Sequence, residues 1–274
     1  MSMRFLKGGI RFLMVTVGII VLTSFTIDAT DSFSKSQTAL SILVGSALES
    51  ECPDGMNRVD LVDKSICVDT YENSVGEKCP VTSPSFSLET KNNIDTKGCI
   101  SVSVANIPPW TFVALHQAKA LCVKREMRLP SASEWYEAGL GTPDSEKCNI
   151  SGGSPAVAGS FDECISSRGV YDMIGNVWEW VDSSVLDGVY NDRILPESGY
   201  VAEIDTAGVV VMSEKTASEM FNSDYFYGDS VGVKAMMRGG FYAGGDDSGL
   251  FSVHAKVGSN FSSKGTGFRC VLTI

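Results

Sequence analysis

Gly169-Val170-Tyr171-Asp172-Met173-Ile174-Gly175-Asn176-Val177-Trp178-Glu179-Trp180 gathers two indoles, a tyrosine and two carboxylates on one short segment. The alternation Val177-Trp178-Glu179-Trp180 predicts a strand with both tryptophans on one face and Val177 and Glu179 on the other. Gly175-Asn176 predicts a turn just before it, because both residues tolerate positive φ. A turn leading into a strand can aim carbonyls and carboxylates at one centre, as a hard cation such as calcium requires.

On the N-terminal side, Pro108-Pro109 blocks the start of a helix expected from Thr111 to about Lys124. Its buried face is Val113, Ala114, Ala118, Leu121 and Cys122. His116 falls off that stripe and is expected at the surface. Ser131-Ala132-Ser133-Glu134 fits a capping box, in which the serine hydroxyl and the glutamate satisfy each other's backbone N–H groups. A short helix carrying Trp135, Tyr136 and Ala138 should follow, ended by Gly139. Earlier still, Met56–Val62 and Ser65–Asp69 read as two strands around a turn at Asp63-Lys64. Pro80–Lys97, rich in Ser, Thr, Pro and Asn, reads as a surface loop. On the C-terminal side, Tyr200–Ile204 and Val209–Met212 flank a hairpin signal at Asp205-Thr206-Ala207-Gly208, and Phe268–Ile274 reads as a strand.

The chain has 274 residues, 43% of them hydrophobic, enough for one substantial core. A net charge of −11, with scattered Lys and Arg, argues against nucleic acid as a partner. The two histidines, His116 and His254, and the absence of any Cys-x-x-Cys pair make a structural zinc site a poor reading. Eight cysteines behind an export signal instead read as a disulfide set. Cys52/Cys67 and Cys79/Cys99 are nearest neighbours, and Cys148/Cys164 encloses a Gly/Ser-rich loop; sequence alone does not choose among the possible connectivities.

Arg4, Lys7 and Arg11 precede an uncharged apolar run, Phe12–Ile27, that is long for a signal-peptide core and slightly short for a membrane span. Residues 1–29 are therefore expected to be a signal peptide or an N-terminal membrane anchor, and on either reading the basic flank predicts an inside N-terminus and an outside body. Residues 30–51 are expected to be a linker, and the domain to run from 52 to 274, with an insertion at about 184–236.

The quoted stretch, with Arg128-Leu129-Pro130-Ser131-Ala132-Ser133-Glu134-Trp135, Met237-Arg238-Gly239-Gly240 and Gly267-Phe268-Arg269-Cys270, resembles the sulfatase-modifying-factor family, named for the formylglycine-generating enzyme. The resemblance implies an α+β, C-type-lectin-like fold, low in regular structure, with its two ends brought together. It implies a disulfide between Cys122 and Cys270, a closure worth about 4–5 kcal/mol by loop entropy. It also implies a structural calcium held by Asp172, Gly175, Val177 and Glu179, and a second calcium involving Asn149 and Ile150.

In the formylglycine-generating enzyme, two cysteines after the Arg-Gly-Gly block bind copper and oxidise a substrate cysteine. Those positions are Gly244 and Gly249 here, which argues against copper and against catalysis. A narrower resemblance links Phe241–Lys264 to the variable proteins of diversity-generating retroelements, whose diversified residues lie just before Gly-Phe-Arg. It implies a ligand-binding surface of Phe241, Tyr242, Asp246, Asp247, Ser248, His254, Lys256 and Asn260, over a skeleton of Leu250, Phe251, Val253 and Val257. The expected protein is an exported, noncatalytic binder of a protein or surface ligand, touching membrane only through its N-terminal segment. The alternative is a formylglycine-type oxidoreductase with an atypical site.

Overall fold

Hydrophobic alternation starts the described domain with a hairpin that the end of the chain completes. β1 (Met56–Asp60) and β2 (Ser65–Asp69) pair antiparallel, and β14 (Val271–Thr273) adds to the other edge of β2 with Val271 opposite Val68. The two ends of the domain therefore meet in one sheet. The computed structural model describes residues 52–274 except Ser145. The expected export segment and linker lie outside the described residues.

β3 (Ser74–Val75) and β4 (Ser101–Val102) form a second small sheet, and between them lies α1 (Ser87–Asp95). The loop expected over Pro80–Lys97 is thus partly a helix. It has no apolar stripe to reveal it, because polar side chains fasten it. Asn93 accepts from Val81 N at 3.0 Å and donates to Val81 O at 2.8 Å, while Thr90 accepts from the Trp110 indole at 3.0 Å.

α2 (Leu115–Val123) starts later than the expected Thr111, because Phe112 takes a φ of 53° and Ala114 is still extended. All five residues of the expected stripe are buried, and His116 is exposed. α3 (Ala132–Gly139) carries the expected capping box: Ser131 Oγ accepts from Glu134 N at 3.2 Å, and Glu134 Oε2 accepts from Ser131 N at 2.8 Å.

The main sheet is built on β5 (Trp178–Leu186). One side of it continues through β6 (Val189–Tyr190) to β7 (Arg193–Ile194). The segment from 184 to 236, expected as an insertion, contributes to this sheet. It supplies β8 (Gly199–Ile204), β9 (Val210–Glu214), β10 (Tyr225–Gly228) and β11 (Val233–Arg238). With β12 (Val253–Val257), the order is β7-β6-β5-β11-β12-β10-β8-β9, and β13 (Thr266–Gly267) pairs with β5. Strand alternation puts Trp178 and Trp180 in a core with Trp110, Leu121, Met237 and Phe268. Val181 and Val185, on the other face, join Trp135 and Met173. The α+β, C-type-lectin-like class expected from the sequence is the one observed.

Every cysteine is paired: Cys52–Cys67, Cys79–Cys99, Cys122–Cys270 and Cys148–Cys164. Four disulfides call for an oxidising compartment. Among the described residues no helix is long and apolar enough to cross a membrane.

Candidate functional site

The turn ahead of β5 forms as its composition demands, with φ of 75° at Gly175 and 52° at Asn176. Asn176 Oδ1 accepts from Asn149 Nδ2 at 2.9 Å and from Ala156 N at 2.8 Å, so the turn is stitched to the Cys148–Cys164 loop. Behind it three carboxylates are buried. Asp172 Oδ2 accepts from Gly159 N at 2.6 Å, and Glu72 accepts from Asn176 Nδ2 and, at 3.3 Å, from Val177 N. Burial, with smaller contributions from Asp172 and Glu179, pushes the Glu72 carboxyl well above its ordinary range. Burial likewise raises Asp172 to about 6. Sequence reasoning missed Glu72, which lies far upstream in an unremarked loop; the polar run Asp69-Thr70-Tyr71-Glu72-Asn73 directly after a strand was the available signal.

Glu179, the third carboxylate, is engaged by a guanidinium. Arg269 Nε donates to Oε2 at 2.7 Å and Nη2 donates to Oε1 at 2.5 Å, while the Trp135 indole donates to Oε2 at 2.7 Å. Arg269 also donates to the carbonyls of Asp69 at 3.0 Å and Tyr171 at 2.9 Å. Its positive charge thus gathers one carboxylate and several carbonyls, the task the sequence reading gave to calcium. Of the four residues expected to hold calcium, Asp172, Gly175, Val177 and Glu179, the last is engaged by Arg269. Asn149 Nδ2 donates to Asn176 and to Ser154 O at 3.1 Å, and Ile150 is buried. Among the described residues no three His, Cys, Asp or Glu side chains are placed to share a metal.

The two positions assigned to the family's copper-binding cysteines, Gly244 and Gly249, carry no thiol. A Cβ built at Gly244 would overlap Ser248 Oγ, and one at Gly249 would overlap the carboxylates of Asp224 and Asp144.

The expected binding segment divides. Phe241, Tyr242 and His254 do come together, lining a cavity of about 500 Å³ with Trp178, Tyr227 and Lys264. The His254 ring lies 5.6 Å from Trp178 and stacks on Tyr227 at 5.5 Å, while Phe241 meets Tyr242 edge-on at 5.2 Å. Lys264 Nζ stands 5.8 Å from the centre of the Tyr242 ring. Burial holds the His254 imidazole down at about 4, so it is neutral at physiological pH, and its Nδ1 has no hydrogen-bond partner. The other expected residues lie elsewhere. Ser248 is buried and exchanges hydrogen bonds with the backbone of Phe241 at 3.2 and 3.3 Å, so it braces the loop from inside and offers no surface. Asp247 accepts from the Tyr227 hydroxyl at 2.8 Å and fixes that ring. Asp246 is exposed, Lys256 borders a different cavity beside β10, and Asn260 is exposed beyond β12. Trp178, Tyr227 and Lys264 are the contributors that sequence reasoning missed, because they come from β5, β10 and the loop before β13 and share no local pattern.

The fold and site together define a disulfide-braced α+β scaffold of the formylglycine-generating-enzyme type. The description "sulfatase-modifying factor enzyme 1-like domain" matches residues 64–274, and the chain belongs to that family. It is 24% identical over 152 residues to hercynine oxygenase of Mycolicibacterium smegmatis, covering 49% of this chain and 30% of that protein. Among solved structures it is similar to the Major Tropism Determinant P3c Variant, at 18% identity and a TM-score of 0.46, covering 81% of this chain and 53% of that one. It is also similar to Treponema denticola variable protein 1, at 13% identity and a TM-score of 0.41, covering 80% and 91%. The chain thus spans less than a third of the curated relative and about half of the tropism determinant.

Proposed function

We propose that this protein is an exported, noncatalytic ligand-binding member of its family, and that its binding site is the aromatic cavity beneath segment 241–265. The observation that carries this reading is the meeting of Trp178, Tyr227, Phe241, Tyr242 and His254 in one cavity. Glycine at 244 and 249, where the formylglycine-generating enzyme has its copper-binding cysteines, supports it. Aromatic walls give large contact area at low entropic cost, and with His254 neutral the one cation lining the cavity among the described residues is Lys264. The chemistry that fits is a flat or apolar group with a negatively charged end, carried by a protein or surface ligand. The four disulfides support export. Calcium is proposed only for Asp172 with the carbonyls of Gly175 and Val177, leaving Glu179 to Arg269.

The test is a titration of the natural protein with matched aromatic carboxylates and amines, indole-3-acetate against tryptamine, followed by tryptophan fluorescence and amide chemical shifts. The carboxylate should bind and the amine should not. Tyr242→Ala and Lys264→Met should each weaken binding about tenfold. Equal binding of both compounds, or binding indifferent to both substitutions, would overturn the reading.

A further inference from the structure

One end of the main sheet carries an apolar row that the described residues leave uncovered. The strand register sets Val233 of β11 opposite Leu186 of β5, Leu186 opposite Val189 of β6, and Val189 opposite Ile194 of β7. Directly opposed residues share a face of the sheet, with Cβ atoms about 5 Å apart, so these four side chains stand in one line. Val233, Leu186, Val189 and Ile194 are 66%, 57%, 38% and 79% exposed, and Val231, just before β11, adds a fifth at 71%. Further along the same two central strands the sheet is covered. Trp180 of β5 and Met237 of β11, opposite each other, are buried in one core with Leu121 of α2.

Five large apolar side chains this exposed make a patch on the order of several hundred Å², the upper range of what a monomer ordinarily leaves in one place. Beside the row the surface is recessed. Ile194 borders a cavity of about 460 Å³ lined also by Val185, Leu195, Phe226 and Ala255, all four buried. One surface thus offers both protruding apolar side chains and a recess that accepts one, the self-complementarity that a twofold contact requires. The charges around it do not call for a charged partner. Lys234 is paired with Asp229 at 2.6 Å, Arg193 with Asp205 at 2.7 Å, and Asp187 accepts from Gly232 N at 2.7 Å. Glu197 and Lys256 border the recess with opposite signs. Among the described residues no cluster of cations, such as an anionic membrane surface would draw on, stands beside the row.

We infer that this row is a contact between two copies of the chain, related by a twofold axis, in which the apolar side chains of one copy meet the row and recess of the other. A patch of this size with its polar rim matches the standard interface of about 800 Å² per partner. The net charge of −11 on each copy opposes the contact, so salt strengthens it. The inference does not depend on the binding role of the aromatic cavity.

Sedimentation of the natural protein from about 1 to 100 µM tests it. The expected result is an equilibrium between monomer and dimer, shifted towards dimer by added salt. Ile194→Asp and Val233→Asp should each raise the dissociation constant at least about tenfold. Val62→Asp, at an exposed apolar position in the turn after β1, should leave it unchanged. All three positions are exposed, so the variants keep the fold, as circular dichroism should show. A natural protein that stays monomeric throughout, or a dimer indifferent to both substitutions on the row, would overturn the inference. Flotation of the natural protein with phosphatidylcholine vesicles, abolished by Ile194→Asp, would overturn it too, because a lipid surface would then be what covers the row.

Discussion

Arg269 and Glu179 form a fully buried two-pronged ion pair that joins β5 to the last segment of the chain. The strand alternation sends Glu179 to the face opposite the tryptophans, and Gly267-Phe268 passes beside β5 so that Arg269 arrives against it. Taking one partner away strands the other charge in the core, at a cost of about 3–5 kcal/mol. Urea unfolding should show that loss for Arg269→Met and a comparable one for Glu179→Leu. The double variant should lose much less than the two single losses combined, because neither charge is then left alone. Additive losses would mean that the two residues act independently.

Glu134 gives a pH signature of its own. Against the burial that opposes ionisation, hydrogen bonds from Arg128, Lys64 and the Ser131 backbone hold its carboxyl down at about 2. Its folded pKa lies below its unfolded value, so its stabilisation is complete above about pH 4.5 and disappears as pH falls towards 2. Lys64 and Arg128 are partly exposed, so the effect is discounted to about 2 kcal/mol. The Tm difference between the natural protein and Glu134→Gln should therefore be largest above pH 5 and close up by pH 2 to 3. A difference constant with pH would show that Glu134 acts by packing alone.

What was legible in the sequence follows from how local each cause is. The strand at Trp178–Trp180, the capping box at Ser131 and the hairpin at Asp205–Gly208 are set by neighbours in sequence, and they appear where expected. α1 was illegible because its holding contacts come from Val81 and Trp110 and not from any periodic stripe. For the candidate site, Phe241, Tyr242 and His254 could be found from their bracketing blocks. Trp178 and Tyr227 were accessible only through the sheet order that sets β5 and β10 on either side of β11 and β12. The partner of Glu179 could not be read locally, because Arg269 lies 90 positions away.

The glycines at 244 and 249 make a direct prediction about catalysis. Gly249→Ala forces a methyl group onto Asp224 and Asp144, and overpacking of this kind costs about 1–3 kcal/mol. Its Tm should fall by several degrees, while Gly258→Ala, where a Cβ meets nothing, should leave Tm nearly unchanged. The natural protein, given copper and a cysteine peptide, should take up no oxygen. Oxygen uptake with peptide turnover would reinstate the oxidoreductase reading and would require a ligand set other than the family's cysteine pair.

His254 sets the pH behaviour of the aromatic cavity. Burial lowers its pKa to about 4, from an ordinary value of 6.5, with a smaller effect from Lys256. A depressed base opposes protonation of the folded state, so the natural protein loses stability relative to His254→Phe as pH falls from 6.5 towards 4. Above that window the ring is neutral and stacks on Tyr227 without charge. Affinity for indole-3-acetate should therefore be flat from pH 6 to 8, where neither His254 nor the ligand carboxylate changes state. An imidazole resonance assigned to His254 should titrate with a midpoint near 4 in the free protein. A midpoint near 6.5 would place the ring in water, and the cavity would then lack the dry aromatic wall on which its proposed selectivity depends.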